Sequence, residues 1–174
     1  MPNHLSPLGI FHTAVSILAV LIALYALIRY GKIDPATAVG KLYITLTAIA
    51  CLTALPIMKT GHLSAGHGLA VIVLVLLPIG VYAKSIKFLG KGADYIQTIV
   101  MSSTLFFSMI PATIETLTRL PISHPLAADP NDPVAKMGLL ILVVLYIVGV
   151  LYQVIKIRSG RKATGTPDST VTLS

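Results

Sequence analysis

The chain contains no tryptophan, a single cysteine and only six acidic residues, and 11% of its residues are charged. Soluble domains carry about 25% charged residues. With 55% hydrophobic residues and a mean hydropathy of +0.87, this scarcity excludes a separate soluble domain, since no polar stretch is long enough to build one. Without tryptophan, any aromatic belt at a membrane surface falls to tyrosine and phenylalanine. The lone Cys51 has no internal partner, so no disulfide framework exists, and its apolar neighbours mark it as an inert buried thiol. The first nine residues lack Lys and Arg, so no cleavable signal peptide is expected there. Glycine-rich phosphate loops and nucleophile elbows are also missing.

What is present is a series of long apolar runs. A membrane-spanning helix needs about 20 mainly apolar residues. Five stretches qualify: Leu8 to Tyr30, Lys41 to Met58, Ser64 to Ala83, Tyr95 to Leu120 and Val134 to Ile157. None alternates with the two-residue period of a barrel strand. The expected fold is therefore all-α, an integral membrane bundle of five transmembrane helices over residues 1–157, followed by a disordered basic and polar cytoplasmic tail over 158–174. Ser6-Pro7 reads as an N-cap followed by proline at the first helical position, and Asp132-Pro133 as the cap of the last helix. Pro56, Pro78 and Pro111 are expected to bend their helices. The hydroxyl residues of spans two and four, among them Thr47, Thr53, Ser102, Ser103, Thr104 and Ser108, are expected to allow close helix approach and to bond back to their own backbone.

The net charge of +7 does not mark a nucleic-acid binder, because the basic residues sit in short loops between apolar runs. They set topology instead. Ten of the thirteen Lys and Arg residues fall in loop one, loop three and the C-terminal end, which puts the N-terminus outside and the C-terminus in the cytoplasm of a bacterial inner membrane. No partner beyond the lipid bilayer is specified; other membrane subunits or a homo-oligomer are compatible with the chain.

All five histidines (His4, His12, His62, His67, His124) then fall on the outer side, as does Glu115. His12, His67 and Glu115 come out within about one helical turn of a common depth. An ionisable group in hydrocarbon faces the bundle interior and finds a partner. The three residue types are expected to form a transition-metal site, or His12 and His67 to hold a heme b with Glu115 beside it, with His62, Arg119 and His124 in support. The plainer alternative is structural: Glu115 and Arg119, four apart, pair with each other, and His12 bonds a neighbouring helix.

Phe11-His12-Thr13-Ala14, Gly40-Lys41-Leu42-Tyr43, Thr53-Ala54-Leu55, Gly61 through Val71, and Glu115-Thr116-Leu117-Thr118-Arg119-Leu120-Pro121 recur in an order and spacing that resembles a family of small, uncharacterised bacterial multi-span membrane proteins, a predicted-membrane domain of unknown function. The resemblance spans about residues 10–121. It implies a multi-span bacterial membrane protein and carries His12, His67, Glu115 and Arg119 over as matching positions, without supplying a reaction. The chain departs from that pattern where histidines are expected before spans two and four: Ala38-Val39 and Ala93-Asp94-Tyr95 stand there. This disfavours a two-heme wire and favours one outer site. The functional expectation is a membrane protein with a metal or heme site near its outer face, in electron transfer or metal handling. The alternatives are an accessory or scaffold subunit without a cofactor and, less favoured, a proton-coupled transporter.

Overall fold

A computed structural model describes residues 6–57 and 64–164, with side chains to residue 161. Five helices account for nearly all of it: α1 (Pro7–Tyr30), α2 (Ala38–Ala54), α3 (Ala65–Tyr82), α4 (Ala93–Arg119) and α5 (Pro133–Thr164). Short 3-10 turns at Ala83–Ser85 and Lys87–Gly92 connect α3 to α4, and no strand occurs among the described residues. Four helices are long and apolar enough to cross a membrane; α2, at 17 residues, is shorter. Their exposed apolar surfaces are consistent with contact with a lipid bilayer.

Local sequence explains the ends. Ser6 Oγ accepts the Gly9 N–H at 3.1 Å, with Pro7 opening α1 where its missing N–H costs nothing. Gly31 stops α1 with φ of 77°, the left-handed conformation that glycine adopts without a Cβ clash, and its N–H returns to Leu27 O. Thr37 caps α2, accepting Gly40 N–H at 3.0 Å. Pro56 does not bend α2: the helix ends at Ala54, and Leu55 and Pro56 form a turn. Pro78 and Pro111 do lie inside α3 and α4. α5 does not stop at Ile157 but runs on to Thr164.

Helices α1 to α4 form a ring in which each touches the next and α4 returns to α1, while α5 packs on α4 outside the ring. α1 and α3 occupy opposite corners, with no Cα pair within 8 Å. The buried face of α1 is small: Gly9, Val15, Ala19, Ala23 and Ala26, three or four residues apart except for one longer step, let α2 approach closely. Ala19, Ala23, Tyr43, Cys51, Val73, Leu77 and Met101 form the core.

Alternating helix direction gathers the C-terminal part of α1, the α1–α2 turn, the α3–α4 connection and the C-terminal part of α5 at one end, the basic end. Asp94 joins Lys84 (3.0 Å) and Arg161 (2.7 Å) there, and Lys32 pairs with Asp34 at 3.0 Å. Burial raises the Asp34 carboxyl, but the Ala36 N–H and the Lys32 ammonium outweigh it, so the group lies below its ordinary value.

Candidate functional site

At the opposite, histidine end, His12 on α1 places Nδ1 2.9 Å from Ala50 O and 3.2 Å from Thr53 Oγ1, both on α2. A carbonyl oxygen only accepts, so Nδ1 carries the proton and Nε2 keeps its lone pair in the neutral ring. His67, 7% exposed, behaves in the reverse way. Its Nδ1 lies 3.0 Å from the backbone nitrogen of Ser64 and 2.8 Å from Ser64 Oγ. A backbone N–H only donates, so Nδ1 accepts and the proton sits on Nε2. His67 thus closes the start of α3 in the manner of a capping box, with histidine in the place usually held by Glu or Gln. Its buried Nε2 has no hydrogen-bond partner among the described residues.

Glu115 and Arg119 form the i, i+4 ion pair on α4. His124 lies exposed in the α4–α5 loop. His4 and His62 lie outside the described residues. The structure therefore places His12 against α2, His67 on its own helix start and Glu115 beside Arg119. Among the described residues, no group of three or more His, Cys, Asp or Glu side chains is placed to hold a metal ion. Common depth alone does not bring the three groups together: α1 and α3, which carry the two histidines, have no Cα pair within 8 Å. A groove of about 400 Å³ between α4 and α5 is lined by apolar residues such as Leu117, Met137 and Ile141 and contains none of these groups.

The densest polar chemistry lies elsewhere, along α4. Gln97 Nε2 donates to Gly80 O on α3 at 3.1 Å. Ser102 Oγ donates to Gln153 Oε1 on α5 at 2.8 Å, and Ser103 Oγ lies 2.7 Å from Tyr146 OH, also on α5. Thr104 Oγ1 donates to Met101 O at 2.7 Å and stands 2.9 Å from Tyr43 OH on α2. Thr47, 2% exposed, has no partner for its hydroxyl among the described residues. These contacts tie α4 to α2, α3 and α5, so α4 is the polar spine of the bundle. The back-bonding expected of Thr53, Ser103, Thr104 and Ser108 is present. Tyr43, Gln97, Tyr146 and Gln153 were not anticipated. A glutamine inside an apolar run was the available signal, since its amide must find a partner in hydrocarbon. No family model, curated protein or solved structure matches the chain.

Proposed function

We propose that the protein is a five-span subunit of a bacterial inner membrane, N-terminus outside and C-terminus cytoplasmic, that serves as an assembly partner for another membrane protein or for further copies of itself. α2 completes the fifth span despite its length, because Leu55 to Ile57 and the α1–α2 turn extend its apolar reach. The clustering of Arg29, Lys32, Lys84, Lys156 and Arg161 at one end supports the orientation. The observation that carries the role is α5. Its backbone approaches α4 alone among the helices, with Lys156 reaching the end of α1, and its apolar window is 6% buried, far less than in the other long helices. The buried Gln97, Ser102, Thr104 and Gln153 tie one helix to another. The test is purification from the native membrane in a mild detergent followed by native mass spectrometry. An assembly heavier than the 18.4 kDa chain is expected, and a uniform monomer would sink the reading.

One observation favours a second reading, a heme or metal bound near the outer face through His12. Histidine ligands characteristically donate their second ring N–H to a carbonyl, which fixes the tautomer and leaves the other nitrogen free to ligate. His12 has this arrangement with Ala50 O. An optical spectrum with metal analysis, lost on His12→Ala, would support it; a colourless, metal-free protein would not.

A further inference from the structure

A small pocket of about 110 Å³ opens at the basic end, where the close of α1, the start of α4 and the last turns of α5 meet. Two of its walls are buried polar side chains, Thr98 (3% exposed) and Gln153 (5% exposed). Lys32 and Lys156 stand at its sides, and Gly31 forms part of the floor. A Cβ on Gly31 would lie 2.6 Å from Lys156 Nζ, so the glycine both adopts the left-handed turn and makes room for the ammonium.

Donors predominate among the polar groups of this pocket. Gln153 Oε1 is already occupied by Ser102, leaving the Nε2 amide, which has no partner among the described residues. The Thr98 hydroxyl likewise makes no hydrogen bond among them. Lys156 reaches the Tyr30 carbonyl at 3.5 Å and lies 5.9 Å from the centroid of the Tyr152 ring, with no carboxylate within ion-pair range among the described residues. The opposing features are that carbonyl and Asp34, whose charge is taken by Lys32. An ammonium without a carboxylate partner, an open amide and a hydroxyl able to donate favour a ligand rich in acceptors and negatively charged. A pocket of this size, open on one side, admits a tetrahedral oxyanion. The pocket lies at the level where helix ends and basic loops meet the headgroup region.

We propose that this pocket binds the phosphate of an anionic phospholipid, with Lys156, Lys32, Gln153 and Thr98 as its donors and the acyl chains lying along α5. Charge-assisted hydrogen bonds of this kind are the strong ones in proteins. The inference rests on membrane residence as set out above, which flotation with pure phosphatidylcholine vesicles tests on its own. The decisive experiment measures the thermal midpoint of the full chain in detergent, and lipid retention by native mass spectrometry, with phosphatidylglycerol, phosphatidylcholine or inorganic phosphate added. Phosphatidylglycerol alone is expected to stabilise the wild type and to be retained. Lys156→Gln and Gln153→Leu should weaken its apparent affinity about tenfold each, while Lys91→Gln, on an exposed turn at the same end, should leave it unchanged. If Lys156→Gln fails to fold, Lys32→Gln carries the same expectation, and Lys156→Arg should retain binding. Equal loss in Lys91→Gln, equal response to both lipids, or a response to inorganic phosphate with none to phosphatidylglycerol would overturn the proposal.

Discussion

Tyr43 and Thr104, 61 residues apart, meet at 2.9 Å through their hydroxyls and join α2 to α4 across the centre of the ring. Thr104 gives its own proton to Met101 O, so Tyr43 is the donor in the pair. The two partners are therefore not equivalent. Tyr43→Phe removes a donor and leaves Thr104 still bonded; the loss should be about 1 kcal/mol or less. Thr104→Val strands a buried phenol and should cost more, about 1–3 kcal/mol. Thermal unfolding of both variants in one detergent checks the order.

Two glycines separate close packing from adjustable packing. A Cβ on Gly40 would overlap the Asp34 carbonyl, which is held in place by the Thr37 N–H at 3.1 Å and the Thr37 hydroxyl at 2.8 Å. A Cβ on Gly80 would meet Met101 Sδ at 2.6 Å, the end of a flexible side chain. Gly40→Ala should therefore reach the top of the overpacking range, about 3 kcal/mol, and Gly80→Ala its lower end, about 1 kcal/mol. Denaturation midpoints of the two variants are the measurement.

Acid should loosen the start of α5. Asp132 accepts N–H bonds from Ala128 and Val134, both at the α4–α5 connection, and these hold its carboxyl below the ordinary 3.8. Its folded-state value is depressed, so its contribution is present in full above that ordinary value and disappears as pH falls through the folded one. The same sign applies to Asp34. Thermal midpoints should fall below about pH 4, and Asp132→Asn should flatten part of that fall.

The two membrane histidines should show opposite tautomers. Nitrogen-15 NMR of the ring should find the proton on Nδ1 in His12 and on Nε2 in His67, as their partners Ala50 O and Ser64 N require. His67→Ala should cost about 1 kcal/mol through loss of the α3 cap. The same tautomer in both residues would contradict the hydrogen bonds described.

The helices were legible in the sequence because apolar length, Ser6-Pro7 and Asp132-Pro133 each have a local cause, and the structure places caps at both. The Glu115–Arg119 pair was legible for the same reason, four residues being one helical turn. Which neighbour each helix faces was not. Depth follows from counting along a run, whereas azimuth depends on ring order, and α1 and α3 at opposite corners cannot be deduced from either segment alone. Gln97 and Gln153 were readable as partner-seeking amides, but Gly80 O and Ser102 Oγ, which they engage, lie 17 and 51 residues away. The run-on of α5 past Ile157 had no local stop signal to betray it until Gly160, and Arg161 reaching Asp94 rewards the extra turns.

None of the core residues shared by the first four helices belongs to α5. Translated last, that helix docks on a face of α4 that carries Ser102 and Ser103, the latter already bonded to Ile99 O. Gln153 and Tyr146 clothe them on arrival. A chain cut short in the α4–α5 loop would retain those core residues yet leave Ser102 without its Gln153 partner, while Ser103 would keep its bond to Ile99 O.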